Sequence, residues 1–315
     1  MADLEELVGQ SPAIKAVRSD LRRFLGLSRD RGRLPAILIL GETGTGKGLV
    51  ARLLHRLGPR AGGPFVDLNC ATIPEPLLEG ELFGFERGAF TDARRAKAGL
   101  FQSSSGGVLF LDEVGLLPPN VQAKVLTALE EKAARRLGST TKETFDSWIV
   151  SATNTDLEVA VRERRFREDL YHRLAVLTVR LPPLRERPGD AVLLAERFLE
   201  HACREYDVPA KSFTADARAL IAGARWPGNV RELGNVMERL ALLVDRTEVR
   251  AADLELVLGG DRAAAPSSGT SAGGEREQIL AALEATGWNI MRTATRLGVS
   301  RNTVRARMDR WGLRA

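Results

Sequence analysis

Along the first 180 residues, short, largely apolar runs alternate with stretches whose apolar positions recur every three or four residues. Ile14, Val17, Leu21 and Leu25 fall on one face of a helix over Ser11–Leu25, and Gly46–Leu57 repeats that spacing. Pro35–Leu40, Phe65–Leu68, Val108–Leu111 and Trp148–Ala152 are short, largely apolar runs followed by glycine, polar or helical sequence. Such strands, separated by helices, predict an α/β fold with a parallel sheet covered on both faces. From Arg187 to about Val257 no strand-like run occurs. Ala191–Tyr206, Ala215–Ala222 and Val230–Val244 read as helices, with the chain broken at Trp226–Asn229, so a small helical subdomain is expected over 181–258. Gly259–Gly274 is small, polar and low in complexity, which predicts a flexible linker. Residues 275–315 read as three short helices. Gly298–Ser300 forms a turn and Ser300 caps a basic helix over Arg301–Trp311, a helix-turn-helix.

Composition narrows the class. The 315 residues are 44% hydrophobic and 28% charged, enough for a full core and two or three domains. The net charge of +5 is uneven: Gly287–Ala315 carries seven arginines against one aspartate, a net +6, and leaves the rest at −1. A basic end on a near-neutral body points to a polyanionic partner. No apolar run approaches the roughly 18 residues a membrane span needs. The acidic N-terminus has no signal core. Cys70 and Cys203 lack metal-ligand spacing and read as small buried hydrophobes in a reducing cytoplasm.

The chemistry concentrates at strand ends. Gly41-Glu42-Thr43-Gly44-Thr45-Gly46-Lys47 fits G-x-x-x-x-G-K between a strand and a helix, the context of a phosphate-binding loop. Its amides and the following helix N-terminus would cradle phosphates, with Lys47 on the β- and γ-phosphates. Gly48 stands where Ser or Thr would hold Mg²⁺, so the metal must rely on another ligand. Asp112, at the end of Gly107–Asp112, is placed to hold it, with Glu113 as general base for the attacking water. Ser151-Ala152-Thr153-Asn154 ends a further strand with residues suited to sensing the γ-phosphate. Asn69 is placed to restrain Glu113 through an amide hydrogen bond.

These pieces, in this order, resemble the AAA+ P-loop ATPases. Glu81–Ala93 (ELFGFERGAFTDA) is more specifically similar to the ELFGHERGAFTGA signature of bacterial enhancer-binding proteins, the activators of sigma-54 RNA polymerase. VGQS at 8–11, GETGTGKG at 41–48, VDLNCA at 66–71 and GGVLFLDE at 106–113 match in turn. So do SATN at 151–154, FREDLYHRL at 166–174, LPPLRERPGD at 181–190 and WPGNVREL at 226–233. The resemblance implies ATP and Mg²⁺ as cofactors, with Val8, Gly9 and Gly41–Leu49 at the nucleotide. It implies that Arg167 and Arg173 are arginine fingers serving a neighbouring subunit, that Arg231 is a second sensor, and that the chain forms a ring, usually a hexamer. It also implies that Gly88, Ala89, Phe90, Thr91, Asp92 and Ala93 form a hydrophobic tip contacting sigma-54, with Phe83 and Phe85 in the same exposed stretch.

Two residues depart from the family at that tip: Asp92 replaces glycine and Phe85 replaces histidine. Sigma-54 engagement is expected to be retained but retuned. The end of the chain (GWN…LGVSRNTVRARM) resembles the Fis-type DNA-binding domain of the same activators. Ser300, Arg301, Asn302, Thr303, Arg305 and Arg307 are its expected contacts to double-stranded enhancer DNA. Few residues precede Val8, so regulation is expected to come from a separate protein, unless a longer chain was cut. The alternative to a sigma-54 activator is a DNA-binding regulator whose ATPase domain is only a nucleotide-dependent oligomerisation switch. A branch-migration motor is disfavoured by the hydrophobic tip.

Overall fold

A computed structural model describes residues 4–26, 34–89 and 95–264, with the backbone alone at 260–264. At the C-terminal end it describes residues 279, 280, 282–284, 286–288, 290, 293 and 308. The chain divides into two compact units, Met1–Glu255 and Leu256–Ala315.

The first unit is built on five parallel strands: β1 (Ile37–Leu40), β2 (Phe65–Asn69), β3 (Val108–Asp112), β4 (Trp148–Thr153) and β5 (Leu177–Arg180), in the spatial order β2-β3-β4-β1-β5. Side-chain alternation on the strands divides the core. Ile37, Ile39, Val108, Phe110, Val150 and Ala152 face one way, onto α1 (Pro12–Leu25) and α2 (Lys47–Leu57). Leu38, Leu109 and Leu111 face the other way. They meet α3 (Glu75–Phe83), α4 (Pro119–Glu131), α5 (Leu157–Arg162) and α6 (Glu168–Leu174). Both faces are covered, which is why the central strands β1 and β3 are apolar along nearly their whole length.

Register sets the strand ends side by side. Leu40 pairs with Thr153, and Asn69 with Asp112. Residues just beyond these positions therefore meet at the carboxyl edge of the sheet, where open parallel sheets bind ligands.

The helical part carries α7 (Asp190–Glu205), α8 (Ala215–Gly223), α9 (Asn229–Leu243) and α10 (Ala251–Ala264). Two corrections apply to its expected make-up. A two-residue parallel pairing, Ser212–Phe213 with Glu248–Val249, lies inside the region expected to lack strands. The expected linker from Gly259 begins as helix, because α10 continues to Ala264 through the helix-compatible Asp-Arg-Ala-Ala that follows the glycine pair. Residues 265–274 lie outside the described part. β5 was not expected either. Its sequence, LTVR, alternates exposed and buried positions as an edge strand does, and offers no continuous apolar run.

In the second unit, Ile279 and Leu283 are buried against Leu280, Trp288, Ile290 and Met308. The Thr286 hydroxyl lies 2.6 Å from that of Thr293. The expected DNA contacts Ser300, Arg301, Asn302, Thr303, Arg305 and Arg307 lie outside the described residues.

Candidate nucleotide site

The phosphate loop joins β1 to α2. Lys47 is buried, and its ammonium donates to the Gly41 carbonyl at 2.9 Å. The same nitrogen lies 3.4 Å from Glu113 Oε1, while Glu113 Oε2 accepts the Asn154 N–H at 3.1 Å. Glu113 is thus held from two sides, on a backbone with φ 53° that few non-glycine residues adopt.

Asp112 accepts the Glu113 N–H through Oδ1 at 3.0 Å. Burial, then the neighbouring Glu113 charge, raises its pKa, against the pull of Lys47, the Glu113 N–H and Arg231. A carboxylate made uncomfortable in this way gains from a cation. The Thr45 hydroxyl is turned away to the Glu42 carbonyl at 2.7 Å, and Gly48 has no side chain. Among the described residues no three His, Cys, Asp or Glu cluster as a metal cage. The donor set therefore suits a Mg²⁺ held by one or two carboxylates together with substrate phosphates and water.

The Asn69 role is corrected. Its amide donates to Asp112 Oδ2 at 3.4 Å, not to Glu113, and its Oδ1 accepts the Ala71 N–H. Register explains this, since Asn69 sits directly opposite Asp112. The expected pair of sensing residues also divides. The Thr153 side chain is fully buried and accepts the Thr155 N–H, whereas the Asn154 amide reaches the Thr43 hydroxyl at 2.9 Å. Thr153 is the last residue of fully buried β4, and Asn154 lies just past the strand end, on the rim. Leu49 packs against the core.

The helical part closes on this loop. The N–H groups of Val230 and Arg231, at the start of α9, donate to the Gly44 carbonyl at 3.0 and 3.3 Å. A side chain at Gly44 would meet the Gly228 carbonyl at 2.1 Å, and its φ of 79° favours glycine as well. Asn229 is fully buried. Its amide donates to the Thr43 carbonyl at 3.0 Å and to Glu42 at 3.2 Å, and its Oδ1 accepts the Leu184 N–H at 2.8 Å. Arg185 grips Glu42 with two hydrogen bonds, of 2.6 and 2.8 Å. Arg185, then Asn229, holds the Glu42 carboxyl at a pKa of about 2. Arg185 and Asn229 were not singled out from sequence, although both lie inside quoted motifs. Val8 and Gly9 lie against the Arg187–Asp190 segment: Arg187 donates to the Val8 carbonyl at 2.7 Å.

Neither expected finger reaches the site of its own chain through a recorded contact. Arg167 is paired with Asp169 at 2.7 Å, and Arg173 donates to the Leu129 carbonyl at the end of α4 at 2.8 Å. Arg173 also lines a cavity with Pro35, Ala36 and Trp148 at the amino ends of β1 and β4, the edge opposite the phosphate loop.

The Phe83–Phe85 stretch is corrected too. Phe83 is buried, its ring 5.4 Å from that of Phe101, and Phe85 is half-buried over Gly80. Gly84–Phe85 pairs antiparallel with Lys97–Ala98 at the base of a loop. The Leu137 backbone bonds to Gly84 and Glu86, and Arg136 pairs with Glu86 at 3.2 Å, so the 133–144 hairpin braces that base. Gly88 and Ala89 lie on the loop, and Phe90, Thr91, Asp92 and Ala93 lie outside the described residues.

A phosphate loop, a strand ending in Asp-Glu, a polar third strand end and a helical lid on one parallel sheet define a P-loop ATPase of the AAA+ class. Comparison with known proteins narrows this. The profile of the Sigma-54 interaction domain matches residues 7–180, that of the AAA+ ATPase lid domain residues 185–271, and that of the Bacterial regulatory protein, Fis family, residues 274–311. The response regulator protein PilR of Pseudomonas aeruginosa is 42% identical over 98% of this chain and 70% of its own length. The Nif-specific regulatory protein of Azotobacter vinelandii is 41% identical over 96% of this chain and 58% of its own. A crystal structure of NtrX from Brucella abortus in complex with ATP superposes with a TM-score of 0.72 at 34% identity, covering 98% of this chain and 69% of that one. The chain belongs to the sigma-54-dependent transcriptional activators, with an AAA+ ATPase domain and a Fis-type DNA-binding helix-turn-helix.

Proposed function

We propose that this chain assembles into a ring, a hexamer by the family's habit, in the cytoplasm. There it couples Mg²⁺-dependent ATP hydrolysis to opening of promoter complexes held by sigma-54 polymerase, while residues 275–315 hold enhancer DNA. The observation that carries the reading is the Lys47–Glu113 contact at 3.4 Å beside a carboxylate-bearing strand end. Triphosphate entering the loop competes for Lys47, which frees Glu113 Oε1 to accept a proton from the attacking water. Asp112 would hold Mg²⁺, which supplies charge neutralisation on the β- and γ-phosphates. Asn154 lies at the loop rim to report the γ-phosphate, and the α9 N-terminus with Arg231 lies on the loop, so loss of that phosphate is felt by the lid. Val8, Gly9 and Gly41–Leu49 complete the nucleotide pocket. Arg167 and Arg173, held by Asp169 and the Leu129 carbonyl rather than by their own phosphate loop, suit a neighbour's. The loop braced by the 133–144 hairpin would present Gly88–Ala93 to sigma-54. Among the described residues no helix is long and apolar enough to cross a membrane.

The test is open-complex formation by sigma-54 polymerase on a promoter with an upstream binding site, using the full chain. Formation that requires hydrolysable ATP is expected. Absence of activity, restored by Asp92→Gly, would show that this chain has lost the sigma-54 step and is a nucleotide-switched DNA-binding regulator.

A further inference from the structure

Arg167 carries an exposed guanidinium on a buried root. Its side chain is half exposed and lies along Asp169, whereas its backbone opens α6 beside Phe166, which is buried in the core. The Arg167 N–H is taken by the side chain of Gln122, from the start of α4, at 2.9 Å. Gln122 is itself 1% exposed. Its amide nitrogen donates in two directions, to the Leu117 carbonyl at 2.8 Å and to the Arg165 carbonyl at 3.0 Å. The three partners dictate the orientation of the amide, since two carbonyls need the NH₂ group and an N–H needs the oxygen.

One buried amide thus spans two segments that lie 43 to 45 residues apart. Leu117 ends the short turn that follows Glu113. The Glu113 carbonyl accepts the Leu116 N–H at 3.0 Å and the Val114 carbonyl accepts the Leu117 N–H at 3.2 Å, so this turn holds its own shape. Val114 and Leu117 anchor it in the core. On the other side, the N–H groups of Arg165 and Phe166 both go to the Ala160 carbonyl, at 2.8 and 3.1 Å, and close that segment against α5. Arg167 lies just beyond this closure, as the N-cap of α6, and an N-cap N–H finds no partner within its own helix. Gln122 therefore fixes the point from which the Arg167 side chain projects, and fixes it relative to the Glu113 turn of its own chain. An apolar residue of the same length would fill the space and remove all three bonds from the buried backbone. A displacement of about 1 Å at the root of a catalytic side chain can cost about a hundredfold in rate.

We propose that Gln122 is a positioning residue for hydrolysis in the neighbouring subunit: it aligns the Arg167 finger with the Glu113 turn of the chain that supplies the finger. The proposal rests on Arg167 acting on a neighbour's nucleotide. On that basis the amide matters on the finger side of a subunit interface and not on the phosphate-loop side, a division that a purely structural buried residue would not show.

The test mixes full chains so that the phosphate loop and the finger of an active interface come from different molecules. A Lys47→Ala chain supplies fingers only, and an Arg167→Ala chain supplies loops only. Gln122→Met is then placed in one chain or the other, and the recovered ATPase rate and KM are measured. In the finger-supplying chain it is expected to lower the recovered rate about tenfold with KM for ATP within about twofold. In the loop-supplying chain the rate is expected to stay within about twofold. Gln122→Glu keeps an acceptor for the Arg167 N–H but sets a carboxylate against two carbonyls, so the same asymmetry is expected, and it carries the test if the methionine variant does not assemble. Equal losses from the two sides, or a larger loss from the loop side, would overturn the proposal, and so would no loss from either. If Lys47→Ala and Arg167→Ala chains with Gln122 intact recover nothing on mixing, the reading of Arg167 as a neighbour's finger falls, and the proposal with it.

Discussion

Glu42 and Arg185 are 143 residues apart in sequence and meet through two hydrogen bonds of 2.6 and 2.8 Å, joining the phosphate loop to the start of the helical lid. A carboxylate at the mouth of a triphosphate site repels its ligand unless it is neutralised, and Arg185 supplies the neutralising charge. Arg185→Ala is therefore expected to weaken ATP binding about fivefold. The double variant with Glu42→Gln should regain most of that loss. Titration calorimetry over the four-member cycle checks it. Additive losses in the double variant would exclude charge compensation as the cause.

The same pair gives a pH signature. The Glu42 pKa is lowered from 4.5 to about 2 in the folded chain. A depressed carboxylate contributes stability that is complete above the unfolded value and is lost as pH falls through the folded one. The difference in thermal midpoint between wild type and Glu42→Gln should stay level from pH 8 to 6 and shrink between about 4.5 and 2. Scanning calorimetry along that series tests the sign.

Glu113 and Lys47 touch, but they are expected to fail differently. Glu113→Gln should bind ATP near normally and lose about 10²–10⁴-fold in turnover, as loss of a general base does. Lys47→Ala should lose binding first. Separate measurement of nucleotide affinity and single-turnover rate distinguishes the two, and parallel losses of affinity would remove the base role from Glu113.

The outward placement of Arg173 on the edge opposite the loop makes a complementation experiment decisive. Arg173→Ala and Lys47→Ala chains should each be inactive alone, by about 10³-fold or more for the arginine. Mixed together they should recover part of the ATPase rate, because an interface with one intact loop and one intact finger can then form. No recovery on mixing, with both variants oligomeric, argues that Arg173 acts within its own chain.

Gly48 has open space where a side chain would project, although it stands within α2. Nothing in the packing requires glycine there. Gly48→Ala should raise stability by about 0.5–1 kcal/mol through helix propensity and the unfolded state. A lowered denaturation midpoint would show that the loop needs backbone freedom at that position.

Much of the ATPase was legible in the chain itself. G-x-x-x-x-G-K between an apolar run and a helix, and an apolar run ending at Asp112-Glu113, are local patterns that specify strand ends and a phosphate cradle without long-range information. The +6 charge of the last 29 residues likewise points to a polyanionic partner from composition alone. Tertiary structure decided which strand-end side chains look at which. Asn69 was expected to hold Glu113, but sheet register sets it opposite Asp112. Thr153 and Asn154 are adjacent in sequence, but Thr153 ends the buried strand β4 whereas Asn154 lies past its end and reaches Thr43. Phe83, among glycines, reads as part of an exposed tip, but the fold buries it against Phe101. Arg185, Arg187 and Asn229 owe their roles to contacts spanning 143 to 187 residues. Sequence spacing carries no record of such contacts, because they form only when the lid folds back over the carboxyl edge of the sheet.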